Sequence, residues 1–130
     1  MSSWPTEEQL AEFLAAPQDE PIVMMNLLRY KPTADGADGM TGEEAMMRYA
    51  RPMREFVESR GGEFVFAGNV ASQLIGEGGE GFDFVSIMRY PSRRTFLELA
   101  GDPEIANTIG KQRDAGLDSQ WLLVMTEASE

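Results

Sequence analysis

Apolar residues occur in short continuous runs and in helical stripes along this chain. Four continuous runs predict strands, at residues 22–30, 63–67, 82–90 and 120–126. The first and third are apolar at nearly every position and are closely followed by a proline, which is typical of strands covered on both faces. We expect residues 69–75 to continue or pair with the second strand after a bulge at Gly68.

Helical spacing of apolar residues predicts four helical segments, at residues 6–16, from 41 to the glycine pair at 61 and 62, 92–100, and 102 to about 115. The first two are predicted to begin at capping boxes, in which a threonine and the residue three positions later bond to each other's backbone: Thr6 with Gln9, and Thr41 with Glu44. Pro52 lies inside the second segment, so a kink or a fresh first turn is expected there. Ser92 and Asp102 are the expected caps of the last two.

The order of these elements is one extra helix followed by β-α-β and again β-α-β. The segments "NLLRYKP" and "SIMRYPS" occupy equivalent places in the two halves, each at the end of a core strand. This order favours an α+β fold in which one antiparallel four-stranded sheet carries both main helices on one face. Residues 1–130 are predicted to form a single domain, with residues 1–20 as an N-terminal helical extension.

The two core strands are apolar on both of their alternate faces, although the main helices can cover only one. Met24 and Leu28 alternate with Met25 and Leu27 in the first core strand. Leaving the second face in water would lose several kcal/mol of stabilising free energy, because burial of apolar surface contributes about 25 cal/mol per Å². The sequence therefore predicts a homodimer in which the sheets of two copies face each other.

Composition removes several classes of function. The chain contains no cysteine and no histidine, which excludes thiolate nucleophiles, the usual zinc sites, His-ligated haem and Ser-His-Asp triads. No cofactor and no metal are expected. A net charge of −11 opposes binding to nucleic acid or to an anionic membrane surface. No apolar run is long enough to span a bilayer and no signal peptide is visible, so a cytoplasmic location is expected.

Polar residues interrupt the two core strands at matching positions. Asn26 and Ser86 each precede a tyrosine, Tyr30 or Tyr90, by four positions, so alternation places all four side chains on one face. A small polar side chain among apolar neighbours can orient a bound ligand. The alternative is a polar group that is satisfied by the neighbouring strand or by a buried water.

Three further residues are candidates for ligand binding. Arg89 lies at the end of a core strand near the helix that begins at Ser92, where it can meet an anionic group or pair with a surface carboxylate. Tyr49 belongs to the apolar stripe of its helix, and Arg113 flanks the stripe of the last helix, so both can line a cavity between sheet and helices. The alternative is a core tyrosine and a helix-end arginine that answers the helix dipole.

The strand order also occurs in RNA-recognition motifs, but Glu80 and Val23 stand where those proteins carry a basic residue and a stacking aromatic. A closer resemblance is to the uncharacterised domain family numbered 1330, within the dimeric α/β-barrel superfamily of ferredoxin-like proteins. Four segments carry it: "MRYARPM", "RGGEFVFAG", "FDFVSIMRYPSRRTFLEL" and "DPEIANTIGKQRDAG". The resemblance implies a ferredoxin-like β-α-β-β-α-β sandwich whose sheets pair as a dimeric α/β barrel.

Proteins of that superfamily include cofactor-independent monooxygenases, lactone isomerases and haem proteins, which use a cavity between sheet and helices. The resemblance therefore implies a dimer that binds a small apolar or aromatic metabolite, with cofactor-free catalysis as one form of it. The absence of histidine disfavours the haem branch. A non-catalytic structural or interaction dimer, whose cavity is filled by its own side chains, is the alternative.

Overall fold

The computed structural model describes residues 5–34, 39–79, 81–103 and 116–128, and within them the elements follow the predicted order. These elements are α1 (Glu7–Ala15), β1 (Ile22–Tyr30), α2 (Gly42–Ser59), β2 (Glu63–Asn69), β3 (Phe84–Tyr90), α3 (Arg93–Ala100) and β4 (Leu117–Met125). No helix in this part of the chain is both long and apolar enough to cross a membrane.

The four strands form one antiparallel sheet in the order β2-β3-β1-β4. The two core strands are therefore central, and β2 and β4 are the two edges. The fold is α+β, as the element order predicted. In β1, Ile22, Met24 and Leu28 are buried beneath the helices, and we call this side of the sheet the helix face. The opposite side, which carries Val23, is called the open face.

Among the described residues, the core beneath the helices forms two separate apolar clusters. The larger one joins the start of β1 and the end of β3 to α2 and α3 through six buried residues: Ile22, Met24, Val57, Met88, Tyr90 and Leu99. The smaller one joins the other end of β1 to α2 and β4 through Leu28, Met46 and Leu117. Close packing of this kind is the main source of the fold's stability.

Local sequence explains where the helices begin and end. Both expected capping boxes form, with Thr6 and Thr41 accepting hydrogen bonds from backbone amides three residues on. α2 continues as one helix past Pro52. It ends where Gly61 adopts a φ of 89°, which a residue with a side chain rarely adopts. Ser92 caps α3, because its hydroxyl accepts a hydrogen bond from the backbone amide of Thr95.

The helix α1 lies beside α3. The rings of Phe13 and Phe96 meet edge to face at 5.7 Å between centroids. Gln18 closes the end of α1, because its side-chain amide donates to three carbonyl oxygens that the helix leaves free. Arg94 of α3 pairs with Asp19 just beyond. None of the residues of α1 is fully buried, so the helix is an addition to the core.

Two strand predictions need correction along β2 and β3. β2 ends at Asn69, so residues 70–75 neither continue it nor form another strand. The register shifts between Phe64 and Phe66 and not at Gly68. β3 begins at Phe84, two residues later than expected, after a turn that includes Gly81 with a φ of 103°.

The ring of Phe82 explains the late start of β3. It contacts Trp121 edge to face at 4.9 Å and lies under the Arg29 guanidinium at 4.6 Å. Both partners belong to the open face, whereas strict alternation would put Phe82 on the helix face with Phe84.

Two more predictions concern the last part of the chain. The strand β4 begins at Leu117, three residues before the predicted start. The predicted helix after Asp102 falls at residues 104–115, outside the described part.

Candidate functional site

A row of polar residues crosses the helix face of the sheet. Asn26 of β1 and Ser86 of β3 are direct cross-strand partners, and each is only 7% exposed. Directly opposite residues of an antiparallel pair point to the same side of the sheet. The structure thus brings together the two polar residues that the sequence singled out, on the side where the helices pack.

Gln120 of β4 completes this row, although the sequence did not single it out. Its side-chain Nε2 donates a hydrogen bond of 2.7 Å to Oδ1 of Asn26. Gln120 is opposite Leu28, so the bond runs diagonally across the β1–β4 pair. The only signal for it was a polar residue at the start of the apolar run 120–126, and one sequence does not show which strand that residue will face.

The polar row separates the two apolar clusters of the core. Met24 and Met88 lie on one side of it and belong to the larger cluster, while Leu28 lies on the other side and belongs to the smaller one. A buried amide that lacks a hydrogen-bond partner costs on the order of 1–3 kcal/mol, so a polar row at this place needs partners. Asn26 and Gln120 supply one such bond to each other.

The other candidate residues lie elsewhere or outside the described part. Arg89 is exposed, and its guanidinium lies 3.3 Å from the Glu63 carboxylate in a cross-strand ion pair. It belongs to the open face and does not meet the polar row. Tyr49 lies in α2, but its side chain is outside the described part of the structure, and so is the whole of Arg113.

The two repeated tyrosines occupy different surroundings. Tyr90 is 1% exposed, and its hydroxyl donates to the Met88 sulfur at 3.7 Å. Tyr30 is half-buried, and burial together with the nearby carboxylates of Glu43 and Asp83 raises its pKa to about 12. Tyr30 is therefore uncharged at neutral pH and can act there as a hydrogen-bond donor. The Asp83 carboxylate also accepts a 2.8 Å hydrogen bond from the backbone amide of Tyr30.

The open face of the sheet exposes large apolar side chains. Phe66 of β2 is 58% exposed, and Trp121 and Leu123 of β4 are each 45% exposed. Gly68 allows the Phe66 ring to lie against the backbone, because a Cβ at that position would meet the ring at 2.8 Å. Both edges of the sheet therefore present apolar surface on the side that no described helix covers.

Within the described residues, no group of three or more carboxylates is placed to hold a metal ion. The arrangement offers amide and hydroxyl groups, which hold a ligand through neutral hydrogen bonds. A molecule with one polar group and an apolar body matches a polar row between two apolar clusters.

Comparisons with known proteins identify relatives of this chain. Residues 39–126 match the family described as "Domain of unknown function (DUF1330)". A crystal structure of a protein of unknown function from Rhodopseudomonas palustris is 35% identical, covers 97% of this chain and 96% of its own, and superposes with a TM-score of 0.85. No protein of curated function matches.

More distant structures share the fold alone. SnoaB, a cofactor-independent oxygenase from Streptomyces nogalater, is 13% identical with a TM-score of 0.54, over 85% of this chain and 96% of its own. A dabb family protein with a ferredoxin-like fold from Mesorhizobium loti is 10% identical with a TM-score of 0.53, over 84% and 98% respectively. These likenesses show that the fold is ferredoxin-like.

Proposed function

We propose that this chain, which belongs to the domain-of-unknown-function family DUF1330, forms a homodimer and binds a small, uncharged, apolar or aromatic molecule between sheet and helices. Asn26 and Gln120 orient the polar group of that molecule, and Ser86 offers a third hydrogen-bonding group beside them. Tyr49 and Arg113 remain predictions as further lining residues.

One observation carries the proposal: a polar row crosses the helix face where the rest of the central strands is apolar. Leucine or methionine at positions 26 and 120 would join the two clusters into one core without any cost of desolvating amides. Retaining the amides is understandable when a ligand uses them. The polar row then binds the polar group of the ligand, and the apolar clusters on either side contact its apolar body. This difference fixes the orientation of the ligand.

The dimer is supported by the exposed apolar side chains of the open face. Monomeric proteins seldom leave a continuous apolar patch of more than a few hundred Å² in water. Here the patch extends across the sheet from Phe66 at one edge to Trp121 and Leu123 at the other. A second copy that presents the same face covers both patches at once, because a twofold interface is made of identical surfaces.

The chemistry of the site supports binding more directly than it supports a reaction. Asn26, Ser86 and Gln120 do not titrate near neutral pH, so they position a molecule and do not by themselves take its proton. SnoaB is a cofactor-independent oxygenase, but a likeness at 13% identity shows only a common fold. Oxygenase or isomerase chemistry for this chain thus stays a hypothesis that rests on fold.

The proposal is tested by binding of three probes of similar size: 1-naphthol, naphthalene and 1-naphthoate. We expect 1-naphthol to bind best, because it combines an apolar body with one neutral polar group. The double variant Asn26→Leu with Gln120→Leu removes both amides of this hydrogen bond together, so neither is left facing the other's missing group. It should bind 1-naphthol about tenfold more weakly while binding naphthalene as well as the natural chain does.

The control variant for this test is Asn69→Leu, an exposed polar residue at the end of β2, which should change neither affinity. Native mass spectrometry of freshly purified protein adds an independent check, since it weighs the assembly and any retained small molecule together. Equal affinity of the natural chain and the double variant for all three probes contradicts the proposed site.

A non-catalytic interaction module is the second candidate function. It is favoured by the exposed apolar run along β4, where four consecutive residues from Trp121 to Val124 are each at least 40% exposed. A dimer that binds none of the probes and carries no retained molecule supports this candidate over the first.

A further inference from the structure

We infer that residues 70–79 of one copy, part of the loop between β2 and β3 and called the arm here, pack Leu74 and Ile75 over Leu122 of a second copy, so that each chain completes the other's candidate site. The inference rests on the proposed dimer and goes beyond it, because sheets that merely face each other need no such contact. Leu122 is the cross-strand partner of Asn26, so its cover forms a wall of the site.

The arm exposes its apolar tip almost completely. Leu74 is 93% exposed and Ile75 is 86% exposed, more than any other large apolar residue recorded as exposed in the described part. The loop nevertheless has a defined shape, because the Gln73 side chain bridges it. Its Oε1 accepts from the Gly79 amide at 2.7 Å, and its Nε2 donates to the Ile75 carbonyl at 3.2 Å. Two large aliphatic side chains held in water in this way are suited to docking on another surface.

The complementary surface lies on β4. Leu122 and Val124 are each 40% exposed, and their cross-strand partners Asn26 and Met24 place them on the helix face. Packing of two open faces covers Trp121 and Leu123 but cannot reach the other side of the same strand. A segment of the second copy reaches Leu122 only by passing around the β4 edge. A loop that extends from an edge strand of the second copy can do so.

The charge distribution favours the same pairing. Each copy carries a net charge of −11, so two copies repel each other wherever acidic residues meet. Residues 64–76, which span nearly all of β2 and the tip of the arm, contain no charged residue, and neither do residues 119–125 of β4. These two segments can approach each other without bringing like charges together. Glu63 and Glu77 bound the uncharged arm segment.

The sheet topology makes the contact geometrically possible. β2 and β4 are the two edges of the sheet. A twofold axis parallel to the strands brings β2 of one copy over β4 of the other and keeps the same strand ends together. β2 runs antiparallel to β3, β3 to β1, and β1 to β4, so the end of β2 and the beginning of β4 lie at the same end of the sheet. The registers put Asn69, the last residue of β2, level with Gln120, so the arm that follows β2 starts two residues from Leu122 along β4.

The absence of cysteine allows a direct test by disulfide cross-linking in the full-length chain. In the double variant Leu74→Cys with Leu122→Cys, we expect mild oxidation to give a covalent dimer on a non-reducing gel. A disulfide forms readily only where the two Cα atoms approach within about 7 Å. The matched control is Leu74→Cys with Leu10→Cys, because Leu10 is also 40% exposed but belongs to α1, the helix that lies beside α3. The control should stay uncross-linked.

Light scattering on the reduced double variant separates the two proposals. A dimer that does not cross-link overturns the arm contact and leaves the proposed dimer standing, whereas a monomer overturns both. A second variant, Leu74→Asp with Ile75→Asp, should remain dimeric through its open faces and bind 1-naphthol about tenfold more weakly. Unchanged affinity in that variant, alongside a normal response to Asn26→Leu with Gln120→Leu, also contradicts the arm contact.

Discussion

The side chain of Gln120 donates a 2.7 Å hydrogen bond to Asn26 across 94 residues of sequence, in the middle of an apolar sheet surface. The bond joins an edge strand to a central strand and lies where the core divides into two clusters. The two amides therefore contribute to the stability of the sheet and also form the centre of the proposed site. Stability measurements and binding measurements can therefore be compared on the same residues.

A double-mutant cycle should detect this pair as a unit. Asn26→Ala and Gln120→Ala each remove the hydrogen bond between the two amides, so each should lower the free energy of unfolding by about 1–3 kcal/mol. The combined variant should lose about 1 kcal/mol less than the sum. Urea denaturation measures all three. Ser86→Ala with Gln120→Ala is the control pair, and additive losses in both pairs would show that the bond contributes nothing.

Tyr30 should make stability fall with pH on the alkaline side. Its pKa is raised to about 12, while an unfolded chain ionises its tyrosines near pH 10. Between these values the unfolded state loses the Tyr30 proton and the folded state keeps it, so the free energy of unfolding decreases as pH rises from about 10 to about 12. Below pH 10 this contribution is fully present and constant.

The variant Tyr30→Phe isolates that effect, because it removes the titrating group and keeps the ring. Its thermal midpoint should fall less steeply than that of the natural chain between pH 10 and 12. In a spectrophotometric titration, the difference between the two proteins should show one phenolate that forms near pH 12. A difference curve centred near pH 10 would contradict the raised pKa.

Gly42 should tolerate no side chain. A Cβ there would overlap the carbonyl oxygens of Lys31 and Gly116, where the start of α2 meets the end of β1 and the start of β4. Backbone atoms cannot yield as a flexible side chain does, so Gly42→Ala should destabilise the fold by about 2 kcal/mol or more, measured by urea denaturation. Arg51→Ala, at an exposed position of the same helix, should change stability by no more than about 0.5 kcal/mol.

Charges on the open face should dissociate the proposed dimer. Phe66→Asp with Leu123→Asp places carboxylates at both edges of the face, where the partner copy would bring the same charges close. Light scattering should then give a mass near 14.4 kDa in place of twice that value. Leu10→Asp with Leu14→Asp, at exposed positions of α1, should leave the mass of the assembly unchanged. A natural chain of 14.4 kDa in solution contradicts the dimer at the outset.

Short-range signals in the sequence predicted most of the elements correctly. Capping at Thr6, Thr41 and Ser92 depends only on residues within one helical turn, so these helix starts needed no knowledge of the fold. The repeated β-α-β order predicted the α+β architecture for the same reason. The polar positions 26 and 86 were recognised as equivalent because they occupy the same place in the two core strands.

Tertiary structure decided what strand pairing brings together. Alternation along β3 would place Phe82 on the helix face, but the strand begins only at Phe84, and contacts with Arg29 and Trp121 hold the Phe82 ring on the open face. Gln120 became part of the site only through its register with β1, which is set by the packing of the whole sheet. The sequence by itself determined the elements and their order, because those depend on neighbouring residues. Which distant side chains meet was decided by the fold, because a shift of one position in strand register would turn Gln120 away from Asn26.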